Sequence, residues 1–118
     1  MEVKSVRKNE QFQQINLGVT TADAENVELL FTGGSLSVRY VDWQEKPREA
    51  IFKETIAFSW QEQDSTGMPR NDVTYEVSNS EWFARQVSDQ PNAARFHQYR
   101  LCFNACGVLD VICAEIET

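Results

Sequence analysis

Alternating apolar and polar residues are the dominant pattern in this chain, and they predict β-strands. The clearest example is a pair of such runs, residues 27–32 and 35–43, on either side of Gly33 and Gly34. Two glycines supply the positive φ angles that a two-residue hairpin turn requires, so we expect a β-hairpin around them. Its register then pairs apolar residues on one face: Phe31 with Leu36, Leu29 with Val38, and Val27 with Tyr40.

The stretch at residues 49–60 fits two patterns. Most of its apolar residues share the parity of a strand, interrupted at Glu54, where a bulge or bend would fit. Three of them also recur at helical spacing: Phe52, Ile56 and Trp60. Because aromatic and β-branched residues favour strands, we interpret the stretch as strand and keep helix as the alternative.

One helix is predicted, beginning after Ser78. Ser78 as N-cap and Glu81 three residues later form a capping box, in which each side chain binds a backbone N–H of the first turn. Pro91 cannot continue the helix, which therefore ends by Asp89. A helix this short is not stable alone, so we expect it to pack on the sheet.

Two strands, residues 96–104 and 108–115, are predicted in the last quarter, around a turn at Cys106 and Gly107. The second run is apolar on both faces, which is typical of a central strand covered on both sides. The register that this turn gives pairs Val111 with Cys102 and Asp110 with Phe103 across the two strands.

These elements predict an α+β fold of about six antiparallel strands in a meander, with the short helix packed on one face. The alternative is a β-sandwich or a partly open barrel with one helix. A further short strand is predicted at residues 15–19. With 118 residues, the whole chain, 1–118, fits one domain. Residues 1–10 are expected to be disordered or to form a frayed edge strand.

Charge and cysteine count limit the functional classes. The chain has 18 acidic and 11 basic residues and a formal net charge of −7, which repels phosphate backbones, so we expect no nucleic-acid binding. No apolar run approaches the ~18 residues of a membrane span, and the N-terminus lacks the apolar stretch of a secretory signal. The three cysteines, an odd number, favour reduced thiols in a cytoplasmic protein.

Asp110 and His97 are the candidates for catalytic chemistry. Asp110 interrupts an apolar strand, and buried carboxylates recur in active sites, although an ion pair with Arg100 or Arg95 would also explain it. His97 is the single histidine, and no serine or cysteine is placed to act as its nucleophile. A zinc site would need His97 together with all three cysteines, and no phosphate-binding or calcium-binding loop is present. We therefore expect neither a metal nor a cofactor.

Trp43 and Trp60 are the candidates for an interface. Each ends a predicted strand beside a polar loop, where an aromatic residue can anchor a protein partner or simply pack at the edge of the core. In size, acidity and strand-rich pattern the chain is similar to the small immunity proteins that neutralise bacterial toxins, a general likeness without a shared motif. We expect a non-enzymatic interaction module that binds another protein or a second copy of itself. The alternative is a small ligand-binding domain or enzyme with a cleft near Asp110.

Overall fold

Nine β-strands and one α-helix are present within residues 9–62 and 68–118, the parts of the chain that this computed structural model describes. The strands are β1 (Gln11–Ile15), β2 (Glu25–Thr32), β3 (Ser35–Val41), β4 (Pro47–Lys53), β5 (Ala57–Gln61), β6 (Thr74–Ser78), β7 (His97–Phe103), β8 (Gly107–Cys113) and β9 (Glu115–Glu117). Helix α1 spans Glu81–Val87, and a short 3-10 turn follows at Ala93–Arg95. Most of the N-terminal segment 1–10 lies outside the described residues, as does part of the polar stretch 61–72, for which Gly67 and Pro69 predict a loop.

The strands form two antiparallel sheets that pack face to face. The five-stranded sheet has the order β1-β6-β7-β8-β5, and the four-stranded sheet has the order β2-β3-β4-β9. Their facing sides share one core, to which the four-stranded sheet contributes Val38 and Phe52 and the five-stranded sheet contributes Leu101 and Val111. The mainly antiparallel architecture with one helix is therefore confirmed. The described strands number nine rather than about six, and only β2–β4 and β6–β8 keep the predicted meander order.

The hairpin predicted around Gly33 and Gly34 is confirmed. The two glycines have φ angles of 61° and 80°, the left-handed values that a type I′ turn needs. Residues 28–32 pair with β3 in the predicted register. The predicted pairing of Val27 with Tyr40 is wrong, because a β-bulge shifts the register just before residue 28.

The ambiguous stretch at residues 49–60 forms two strands and no helix. β4 and β5 belong to different sheets, and the chain bends between them at Glu54, whose φ is 54°. The interruption of strand parity at Glu54 therefore marks the point where the chain leaves one sheet for the other. The polar stretch 44–48 with its proline predicts a connecting loop, but Pro47 and Arg48 begin β4. A proline is tolerated there because it is the first residue of the strand.

Helix α1 begins two residues later than predicted. Ser80 is the N-cap, and its Oγ accepts a hydrogen bond from the Phe83 N–H at 3.1 Å. Ser78 cannot cap the helix, because it is the last residue of β6. The helix packs on the outer face of the five-stranded sheet, where Val87 and Ile112 belong to a second, smaller core. Across residues 9–62 and 68–118, helices fall short of the length and apolarity that crossing a bilayer requires.

The register predicted for the β7–β8 hairpin is wrong. The chain reverses at residues 104–106, where the Cys106 N–H donates to the Phe103 carbonyl at 2.8 Å. This reversal lies earlier in the chain than the predicted turn at Cys106 and Gly107. Asp110 consequently lies opposite Arg100 and not opposite Phe103.

The predicted turn position is wrong because Gly107 is required by a close contact with a neighbouring strand and not by a turn. It is the first residue of β8, and a Cβ atom at this position would lie 2.8 Å from a ring carbon of Trp60 and would also collide with the Gln61 carbonyl oxygen. The glycine is therefore explained by the approach of β5 to the β8 backbone.

The first described strand also lies earlier than predicted. β1 ends at Ile15, and Leu17 and Val19 belong to the loop that follows it. Both loop residues are partly buried against the shared core. The alternation at residues 15–19 therefore reflects how a loop contacts the core and is not a sign of strand pairing.

Candidate interaction surface

Asp110 is held in a polar network on the outer face of the five-stranded sheet. Its Oδ1 accepts hydrogen bonds from Arg100 Nε at 2.9 Å and from Gln98 Nε2 at 3.1 Å. The Arg100 guanidinium lies over the Phe12 ring, 5.2 Å from the centroid, and its Nη1 donates to Met68 Sδ. The ion pair with Arg100 therefore gives Asp110 a structural role, which accounts for an aspartate in an otherwise apolar strand.

His97 lies on the opposite face of the same sheet. It pairs with Cys113 across β7 and β8, whereas Asp110 pairs with Arg100. Because successive strand residues point to opposite faces, the side chains of His97 and Asp110 are separated by the sheet. His97 Nδ1 instead lies 2.9 Å from Glu76 Oε2. The structure does not bring the two catalytic candidates into one cleft. The predicted hairpin register would place them on one face but far apart along the strands, and the observed register places them on opposite faces.

The three thiols are not brought together as ligands. Cys102 and Cys113 are buried in β7 and β8, and burial raises the pKa of Cys113 to about 12, which keeps this thiol protonated at neutral pH. Cys106 is partly exposed beside the turn, and its Sγ donates to the Ala24 carbonyl at 3.2 Å. Within residues 9–62 and 68–118, no three His, Cys, Asp or Glu side chains are grouped closely enough to hold a metal ion.

Asp42 follows a strand at the start of a polar loop, where the sequence predicts a solvated acid, but the structure shows that it is a buried structural residue. Its Oδ1 accepts from the backbone N–H groups of Gln44 and Lys46 at 2.8 and 2.9 Å, and its Oδ2 accepts from Arg48 Nε at 2.8 Å. The Lys46 hydrogen bond, followed by that of Arg48, lowers the pKa of Asp42. An aspartate opening a turn between two strands is the sequence signal that could have identified this role.

The two tryptophans chosen as interface candidates have different surroundings. Trp43 lies in the turn that Asp42 organises and is 59% exposed. Trp60 is partly buried against the shared core, with its ring centroid 6.0 Å from that of Phe103. Trp43 is therefore accessible to a partner, whereas Trp60 contributes to core packing.

Three further apolar residues are exposed on the edge strands β2 and β5, and we call them the edge patch. Leu30 and Phe31 on β2 are 57% and 48% exposed, and Phe58 on β5 is 38% exposed. The Phe31 and Phe58 rings are in contact, with centroids 5.5 Å apart. Because β2 ends the four-stranded sheet and β5 ends the five-stranded sheet, this contact joins two sheet edges.

The sequence contains a signal for the exposure of Leu30, one residue of the edge patch. Leu29, Leu30 and Phe31 are three apolar residues in a row, so a half-buried strand must leave at least one of them on the solvent side. Leu30 is that residue, because Leu29 and Phe31 are directed towards the facing sheet.

No family model, curated protein or solved structure matches this chain. Its function must therefore be inferred from the surfaces described above. Among these surfaces, the edge patch is the one with more than one exposed large apolar side chain.

Proposed function

We propose that this protein is a non-enzymatic interaction module that binds another protein through the edge patch. The supporting observation is the joint exposure of Leu30, Phe31 and Phe58 on two neighbouring sheet edges. Four large apolar side chains are exposed within the described residues, and these are three of them. Scattered apolar side chains on a surface need no explanation, but Phe31 and Phe58 are in contact, and Leu30 lies on the other face of the same edge strand. Neighbouring exposed apolar residues of this kind mark interaction sites.

The charge of the chain indicates the kind of partner. The formal net charge is −7, and β2 contains Glu25 and Glu28, while neither β2 nor β5 contains a lysine or arginine. A partner with an apolar centre and basic surroundings would gain from contact with the edge patch and from long-range attraction. A second copy of the chain would instead have the same negative charge.

An enzyme with a cleft near Asp110 is less well supported. The Asp110 carboxylate is bound by Arg100 and Gln98, and His97 lies on the other face of the sheet. A general base must reach the proton that it abstracts, and neither candidate is placed to assist the other.

Affinity capture with the full chain as bait tests the proposal. The edge variant combines Leu30→Lys with Phe31→Lys, and the matched control combines Gln11→Lys with Gln13→Lys, which adds the same charge to the exposed edge strand β1. Lysines are common on natural sheet edges, so both variants are expected to fold, and circular dichroism checks this. We expect the edge variant to capture at least about tenfold less of the proteins that wild type and control capture. A tenfold loss of affinity corresponds to about 1.4 kcal/mol of binding free energy.

Two outcomes would contradict the proposal. One is capture of the same proteins, in the same amounts, by the wild type and the edge variant. The other is a wild-type chain that captures nothing above an empty matrix and sediments as a monomer at every concentration.

A further inference from the structure

We infer that the partner binds by adding an extended strand to the outer edge of β2, an inference that rests on the proposed function. Among the described residues, β2 pairs with β3 and has no strand on its other side. Residues 28–32 pair in regular register between the β-bulge and the glycine turn. This five-residue edge is therefore a regular template for another strand.

The turn geometry identifies the backbone groups that would receive the added strand. A type I′ turn places the flanking residues, Thr32 and Ser35, in a hydrogen-bonded pair. Hydrogen-bonded and non-hydrogen-bonded pairs alternate along an antiparallel ladder. The N–H and C=O groups of Phe31 and Leu29 therefore point away from β3, towards the open edge.

The other edge of the same sheet shows how a strand edge is normally protected. β9 has three residues, two of which are the glutamates Glu115 and Glu117. Short length and charge both discourage pairing with another chain. Residues 28–32 of β2 have one charge, at Glu28, and no proline or lysine, so this edge lacks the protection that β9 has.

The faces of β2 specify the chemistry of the added strand. On the inner side, its side chains would cover Phe31 and would lie across from Phe58 on the facing sheet, which favours apolar residues. On the outer side, they would lie beside Leu30 and Glu28, which favours one apolar and one basic residue. The occupant is therefore an extended, alternating apolar segment of another protein that contains lysine or arginine.

Selection of a random-peptide display library on the full chain supplies the probe. We expect enriched peptides to alternate apolar residues and to contain lysine or arginine. The best peptide is then synthesised in two forms, each N-methylated at every second backbone amide but with opposite parity. Only one parity directs its N–H groups to β2, so we expect one form to lose at least about tenfold in affinity and the other to stay within about threefold of the parent peptide.

Amide hydrogen exchange in the complex locates the new hydrogen bonds. We expect exchange to slow at the Leu29 and Phe31 amides, which point to the open edge. The Leu30 amide, which already faces β3, serves as the internal control. Slower exchange at β5 instead of β2 would overturn the assignment of the edge.

The outcomes separate this inference from the proposed function. Binding that disappears in the Leu30→Lys, Phe31→Lys variant but is equally affected by both methylation parities would refute strand addition and leave the edge patch as a binding site. Binding that persists in that variant would refute both. A wild-type dimer that the variant abolishes would identify a second copy as the occupant and overturn the assigned partner.

Discussion

Asp42 and Asp110 both bind an arginine, but they stabilise the fold at different levels. Asp42 has a side chain only 1% exposed and uses both carboxylate oxygens, two of its three donors being backbone N–H groups of its own turn. Asp110 is 18% exposed, and its two donors, on β7, both reach the same oxygen. The first aspartate shapes a turn, and the second fixes the pairing of two strands.

The comparison shows that the donors around a carboxylate determine its role in the fold. Asp110 is the one charged residue in an apolar strand, which suggests a functional role, whereas Asp42 has the sequence context of an ordinary loop acid. The structure places the more completely bonded carboxylate in the turn. A buried aspartate whose two oxygens are both bonded, largely by backbone N–H groups of its own turn, is expected to be structural.

The largest effect is expected for Asp42→Ala. This change removes the acceptor of the Gln44 and Lys46 N–H groups and leaves Arg48 without its carboxylate. Orphaned donors of this kind are costly, so we expect Tm to fall by about 10 °C or more. Thermal unfolding followed by circular dichroism measures it. Asp42→Asn keeps one acceptor oxygen for the turn, so its Tm should lie between those of wild type and Asp42→Ala. A Tm unchanged by Asp42→Ala would remove the distinction between the two pairs.

The second prediction concerns the cross-strand pair. Arg100→Met retains contact with Phe12 and Met68 but leaves Asp110 without its cation, and we expect a loss of about 2 kcal/mol in the free energy of unfolding. Adding Asp110→Asn removes the uncompensated charge and keeps an acceptor for Gln98, so the double variant should lose only about 1 kcal/mol. Urea denaturation measures both. A double variant no more stable than Arg100→Met would mean that the uncompensated charge of Asp110 is not the cause of the loss.

The third prediction uses pH to isolate Asp42. Its folded-state pKa is lowered below the unfolded value of about 3.9, so the stabilisation is fully present above that pH and is lost as pH falls through the folded-state pKa. We expect the free energy of unfolding of wild type to decrease more steeply than that of Asp42→Asn between about pH 5 and pH 2. Urea denaturation across this range provides the measurement. Parallel curves for the two proteins would contradict the role assigned to Asp42.

Local signals made much of the fold predictable. Gly33 and Gly34 specify a turn whose two residues both need positive φ, and the apolar pairs that follow leave one register that buries them together. The break at Glu54 was also readable as a bend within strand-forming sequence. Both predictions depend on contacts between residues close in the chain, which is why a single sequence was sufficient.

The features that could not be predicted depend on residues far apart in the chain. Gly107 is a glycine because β5 passes close to it, and nothing near it in the sequence distinguishes that reason from a turn. In the predicted register Asp110 and His97 share one face, far apart along the strands, whereas the observed register places them on opposite faces. The edge patch likewise depends on Phe58 meeting Phe31 across two sheets, which no local pattern specifies.

The smallest effect is expected at a third carboxylate–arginine pair, which tests whether burial is what separates the first two from ordinary ion pairs. Arg39 Nε lies 3.0 Å from Glu49 Oε2 on the outer face of the four-stranded sheet, with the two side chains 64% and 42% exposed. Solvent weakens such a pair, and we expect Arg39→Gln to change Tm by less than about 3 °C, with the difference fading in high salt. Thermal unfolding at low and high salt measures this. If Arg39→Gln destabilised the protein as much as Arg100→Met does, the geometry of the pairs alone, without burial, would account for the stability that all three contribute.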